Sequence, residues 1–189
     1  MGKVFLGLVH YPIYNKRMEI ISTSVTNLDI HDIARTVTTY GLEKYYLIHP
    51  LPTQQAIIKE ILDYWQKGYG SIYNPDRKTA LEKVVLKSSL AEVEKEITNE
   101  YPQKLKLVVT DARLYENSIG YRDLRREIEE NEGTNFLLLF GTGWGIAREI
   151  MEKADYRLYP IMGSGEYNHL SVRSAVAIIL DRLCGEKWW

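Results

Sequence analysis

Apolar residues gather in short runs at Lys3–Val9, Lys44–His49, Val84–Lys87, Leu105–Thr110, Phe136–Phe140 and Tyr156–Tyr159, and most of the intervals between them carry helical spacing. Runs of this length bounded by turn residues read as strands, and strands alternating with helices imply an α/β chain with a largely parallel sheet. Ile30, Ile33, Ala34 and Val37 make an i, i+3, i+4, i+7 stripe, with Thr26 or Asn27 as N-cap and Gly41 as the stop. A second helix is expected from Thr53 to Gly68, another over Leu124–Glu132 stopping at Gly133, and a last from Leu170 to Leu183. At Gly41, Gly68 and Gly133 glycine can end the helix in the left-handed conformation at little cost. Lys67–Lys78, which holds Gly68, Gly70 and the pair Asn74-Pro75, reads as an extended surface loop.

Composition narrows this picture. A chain of 189 residues with 45% hydrophobic and 26% charged side chains is expected to form one domain over residues 1–189, with a core of its own. The formal net charge is −1, so nucleic acid would have to be met by a local patch and not a global field. Cys184 is the only cysteine, which excludes an internal disulfide and fits a reducing cytoplasm. The run Val4–Val9 is too short to span a membrane and reads as a buried strand; no export signal is visible. His10, His49 and His169 show no ligand spacing, so no metal site is expected.

Two glycine clusters carry the chemistry: Gly141-Thr142-Gly143-Trp144-Gly145, and Gly163-Ser164-Gly165 within residues 159–175. Each follows an apolar stretch, and glycine-bearing loops at strand ends offer backbone N–H and C=O groups to a ligand without side-chain obstruction. A P-loop would need Gly-Lys-Ser/Thr, but Gly145 is followed by Ile146-Ala147. A dinucleotide fingerprint belongs to the first βαβ unit, whereas this cluster follows the fifth strand.

Residues 159–175 resemble the C-terminal signature of the SPOUT class of RNA methyltransferases. Pro160 and Gly163 fall on the TrmH-like proline and glycine, Leu170 and Ser171 on its Val-Ser, and Ser174-Ala175-Val176-Ala177 on its alanine-rich helix. Tyr167, Asn168 and His169 stand where that branch has Ser-Leu-Asn. Gly141-Thr142-Gly143-Trp144-Gly145-Ile146 is more similar to the TrmD-like Gly-Arg-Tyr-Glu-Gly-Ile loop, with Trp144 in place of the glutamate. Arg35 and Tyr40-Gly41 are similar to the first TrmH-like motif, although Asp29 holds its asparagine position and Asn27 lies two residues earlier. The resemblance implies a mostly parallel sheet flanked by helices with a C-terminal deep trefoil knot. It implies S-adenosylmethionine as cofactor, tRNA or rRNA as substrate, and a homodimer whose partner completes the site. The cofactor residues it points to are Thr110, Leu139, Gly141, Gly143, Gly145, Ile161, Gly163, Asn168, Leu170 and Ser171.

Methyl transfer is an in-line displacement whose leaving group needs no proton, so the protein supplies alignment and takes the acceptor's proton. Asn27, His31 and Arg35, spaced i, i+4, i+8, share one flank of the first helix beside its core stripe. Arginine suits a phosphodiester through its planar, permanently charged fork. For a ribose 2′-hydroxyl the resemblance implies Arg35 steered by a phosphate; for a base nitrogen, Asp29, His31 or Asp32 is the better proton acceptor, and His169 is a further candidate base. Tyr69, Tyr73, Tyr115, Tyr121 and Tyr167 interleave with Lys67, Arg77, Lys78, Arg113 and Arg122, a mixture able to stack on and neutralise RNA. The terminal Trp188-Trp189 is expected to cover an apolar patch or join a dimer contact. Two rival readings stay open: a non-catalytic RNA-binding or assembly protein with this fold, and a doubly wound nucleotide-binding enzyme with an unknotted sheet.

Overall fold

In the computed structural model, which describes residues 2–186, β1 (Val4–Val9) is buried along its whole length. Val4, Leu6 and Leu8 enter one core, and Phe5 and Val9 enter a second on the opposite face. The remaining strands in chain order are β2 (Ile13–Tyr14), β3 (Ile20–Ile21), β4 (Tyr45–Ile48), β5 (Val84–Lys87), β6 (Lys104–Val109), β7 (Ser118–Ile119), β8 (Thr134–Gly141) and β9 (Tyr156–Leu158). β8 divides as β1 does, with Phe136, Leu138 and Phe140 on one face and Leu137 and Leu139 on the other. Strands covered on both faces have no polar side to show, which is why these two read as continuous apolar runs. Seven strands form one sheet in the order β5-β4-β1-β8-β6-β9-β7, and every pair in it is parallel.

The helices in chain order are α1 (Asn27–Thr39), α2 (Pro52–Gln66), α3 (Tyr69–Tyr73), α4 (Pro75–Leu81), α5 (Leu90–Glu100), α6 (Tyr121–Glu130), α7 (Arg148–Lys153) and α8 (Val172–Cys184). The α1 stripe Ile30, Ile33, Ala34 and Val37 packs on the first core with Leu124 and Ile128 of α6 and Val176, Ile179, Leu180 and Leu183 of α8. Val93 and Ile97 of α5, with Ile150 and Met151 of α7, close the second. Thr26 caps α1: its hydroxyl accepts from the Asp29 N–H at 3.2 Å and donates to the Asp29 carboxylate at 2.6 Å. Gly41 stops the helix at φ 70°, as its place in the sequence predicts.

The other expected glycine stops differ. α2 ends at Gln66 and Gly68 is the N-cap of α3 at φ −85°, while α6 ends at Glu130 with Asn131 as its cap. The expected loop over Lys67–Lys78 is instead two short helices. Asn74 accepts from the Arg77 N–H at 2.9 Å and Pro75 sits in the first turn of α4, so Asn-Pro here is a helix start. Trp188-Trp189 lies outside the described residues. Among those residues, no helix is long and apolar enough to cross a membrane.

Candidate functional site

β1 and β8 lie side by side at the centre of the sheet, with β4 and β5 on one flank and β6, β9 and β7 on the other. Ligands of open parallel sheets bind beyond the carboxyl ends of the strands, near such a switch in direction. There, the loops 110–113 after β6, 141–145 after β8 and 159–171 after β9 enclose a cleft of about 820 Å³ with the start of α1 and of α8.

The loop after β8 is shaped by its glycines. Gly143 and Gly145 take φ 57° and 104°, backbone that a side chain would strain. A Cβ on Gly141 would stand 2.7 Å from Ile146, inside the turn. The antiparallel hairpin of β2 and β3, which the apolar pattern does not reveal, braces this loop. Tyr14 donates its N–H to the Gly145 carbonyl at 2.9 Å, and the Trp144 N–H returns to the Tyr14 carbonyl at 2.9 Å. The loop after β9 is tied down by Asn168, whose amide donates to the Ala112 carbonyl at 2.6 Å, and by Ser171, whose hydroxyl caps α8.

Chemically the cleft has two parts. Phe140, Leu158, Ile161, Val172, Ala175 and Ile179 give an apolar floor, and Thr26, Asp29, Asp111, Arg113, His169 and Ser171 a polar margin. Asp111 receives Arg113 at 2.7 Å and the Tyr115 hydroxyl at 3.1 Å. Asp29 receives the Thr26 hydroxyl and lies 3.3 Å from Arg173 of α8, which also donates to Asp32 at 3.1 Å. His169 meets the Tyr167 ring edge-on and forms no hydrogen bond among the described residues.

Behind the glycine loop lies a buried polar relay. The Thr142 hydroxyl donates to the Val9 carbonyl at 3.3 Å, so its oxygen is left to accept from Thr23. Thr23 in turn accepts from His10 Nδ1 at 3.0 Å, which places the His10 proton on Nδ1. Its Nε2 is buried without a partner, and the ring stacks on His49 at 5.5 Å. Burial, and then the neighbouring His49, lower the His10 pKa to about 4. His49 is likewise lowered by burial; it accepts from the Leu51 N–H and donates to the Thr23 carbonyl, a neutral form held at both nitrogens.

Of the residues singled out in the sequence, Thr110, Gly141, Gly143, Gly145, Ile161, Asn168, His169, Leu170 and Ser171 line the cleft. Leu139 does not: it is buried, and its carbonyl already accepts from the Thr110 N–H and hydroxyl. Gly163 is exposed outside the lining. Asn27, His31 and Arg35 also stand apart from it, because α1 presents only its first turn, Thr26 and Asp29, to the cleft. Asn27 and Arg35 are exposed, and His31 packs edge-on against Trp65 at 5.3 Å. Met18, Thr23 and Asp111, which the sequence did not single out, also line the cleft, as do Trp144 of the glycine loop and Arg113, expected among the RNA-facing cations. Asp111 and Arg113 were within reach of the sequence, since they follow directly on a predicted strand at its carboxyl end; Met18 and Thr23 belong to the unforeseen hairpin region.

A family model described as SAM-dependent RNA methyltransferase matches residues 3–185. An uncharacterised protein of Aquifex aeolicus is 45% identical over 180 residues, covering 95% of this chain and 87% of that protein. A tRNA (guanine-N(1)-)-methyltransferase of Oleidesulfovibrio alaskensis is 40% identical over 183 residues, covering 97% of this chain; the chain spans only 42% of that protein. The structure of the SpoU methyltransferase AviRb of Streptomyces viridochromogenes, in complex with the cofactor AdoMet, aligns with TM-score 0.57 at 14% identity, covering 97% of this chain and 57% of that one. This last likeness speaks for the fold. With the family match spanning nearly the whole described chain and enclosing all three loops of the cleft, the protein belongs to the SAM-dependent RNA methyltransferases and has a SPOUT-class fold.

Proposed function

We propose that the cleft between the loops 110–113, 141–145 and 159–171 is where this enzyme holds S-adenosylmethionine and that His169 receives the proton of the RNA acceptor. The observation that carries the reading is the convergence of all three loops, one of them shaped by two positive-φ glycines, on a single apolar-floored cleft. The residues present fit the group: the apolar floor suits a flat heteroaromatic ring and an aliphatic chain, and the adjoining Asp111 and Arg113 suit the two charges of an amino-acid end. When bound, S-adenosylmethionine supplies a methyl group activated by a sulfonium.

Among the ionisable side chains on the cleft, Asp29 is engaged by Thr26 and Arg173, and Asp111 by Arg113 and Tyr115. His169 alone of the potential bases is exposed with no hydrogen bond formed among the described residues. It can therefore accept a proton without first breaking an ion pair. His169→Ala is expected to lower methyl transfer to RNA by about 10²- to 10⁴-fold while changing S-adenosylmethionine affinity far less. Transfer of labelled methyl groups to unmodified RNA, with calorimetric titration of the cofactor alongside, checks both parts; undiminished transfer would remove His169 from the chemistry.

The same reading takes residues 1–189 as one domain with a knotted C-terminal stretch, acting in the cytoplasm on tRNA as a homodimer. Asn27 and Arg35 lie outside the cleft of their own chain; in a homodimer of the kind the resemblance implies, they would meet the acceptor nucleotide at the partner's cleft.

A further inference from the structure

Away from the cleft, α2 and α3 turn the aromatic side chains Tyr64, Tyr69 and Tyr73 outward beside α4. Tyr69, Ile72 and Tyr73 are 67%, 77% and 73% exposed, and the two tyrosine rings stack with centroids 6.2 Å apart. Gly70 lets α3 lie against α2, since a Cβ there would stand 2.7 Å from the Trp65 ring and 2.8 Å from that of Tyr64. Tyr64 and Trp65 meet edge-on at 5.2 Å. The Arg77 guanidinium of α4 covers Trp65 at 4.7 Å, and His31 of α1 abuts the same ring. Contiguous exposed apolar surface of this kind marks a place where something binds.

Its electrostatics say what binds. Arg77 Nε and His31 Nδ1 are buried without hydrogen-bond partners. Nearby, Lys67 pairs with Asp63 at 2.7 Å and Lys78 lies 3.8 Å from Glu82, but Arg77 forms no ion pair among the described residues. Burial and then the Arg77 guanidinium lower the pKa of His31, with Asp32 opposing them. Stacked tyrosines beside an unpaired guanidinium offer ring faces for bases and a fork for phosphate, and stacking needs bases that are not paired with others.

We infer that the face formed by Tyr64, Tyr69, Tyr73, Arg77 and His31 is a second RNA-contact surface, which holds unpaired nucleotides of the substrate outside the cleft. The inference rests on the RNA substrate and adds where else that RNA is gripped. Its test is fluorescence anisotropy of the full chain with an unmodified tRNA transcript and with a single-stranded oligouridylate, read beside cofactor calorimetry and gel filtration. Tyr69→Ala/Tyr73→Ala is expected to weaken both RNAs roughly tenfold to a hundredfold, with cofactor affinity and eluted mass unchanged. Arg77→Gln is expected to reduce the salt dependence of oligouridylate binding by roughly 0.7 in log–log slope, the loss of one phosphate contact. Full RNA affinity in the double variant would overturn the assignment, and a halved mass with RNA affinity retained would give the face to a second copy. If wild type binds the cofactor but neither RNA, the substrate reading itself falls; if wild type binds RNA and the double variant binds it equally, only this surface does.

Discussion

His10 shows how far a single side chain reaches. Its imidazole is fully buried and neutral, one end of the relay through Thr23 to Thr142 on the cleft. Its pKa of about 4 lies below the usual 6.5, so the unfolded chain takes up the proton first as pH falls. His10's contribution is therefore full above about pH 6.5, declines toward pH 4 and levels off below, a loss of about 3 kcal/mol across that window. Denaturant unfolding at stepped pH should show this fall in wild type and a shallower one in His10→Gln. At Gly141, a change to valine would meet Ile146 and not open cleft. The expected result is overpacking of about 1–3 kcal/mol, seen as a lower melting temperature, with weaker cofactor binding as its consequence. Gly141, Gly143 and Gly145 were legible as a loop because glycine spacing is visible in sequence. The His10 relay was not, since it joins three residues across the fold through hydrogen bonds that no periodicity encodes.

At the scale of elements, caps decide where the chain turns toward the cleft. Ser171 starts α8 by accepting the Ser174 N–H, and Asn74 starts α4 by accepting that of Arg77. Replacing either with alanine should cost about 1 kcal/mol. Only Ser171 lies on the cleft, so only Ser171→Ala should also weaken S-adenosylmethionine; melting curves with and without cofactor separate the two. Equal cofactor affinity in both variants would take the α8 start out of the site. β1, β4, β5, β6, β8 and β9 and the α1 stripe were readable because each buries enough apolar surface to leave a run or a helical period. β2, β3 and β7, of two residues each, leave none. The Lys67–Lys78 segment misled because Asn-Pro serves turns and helix starts alike, and packing of Gly70 on Trp65 decided between them.

For the whole molecule, a parallel sheet covered on both faces leaves its carboxyl ends as the place where loops can form a site, and three of them do so here. The alternation of strands and helices makes that architecture legible, but which loops meet depends on strand order, and β8 between β1 and β6 is set by long-range pairing. The separation of Asn27 and Arg35 from the cleft was equally hidden, since helical spacing places residues on a face without saying what the face looks at. The central claim is that this cleft holds the methyl donor. Ala175 on its floor offers the direct test: calorimetric titration of wild type and Ala175→Leu with S-adenosylmethionine, each melted in parallel. We predict one site per chain in wild type, lost in Ala175→Leu at an unchanged melting temperature. Undiminished binding by a folded Ala175→Leu protein would contradict the account.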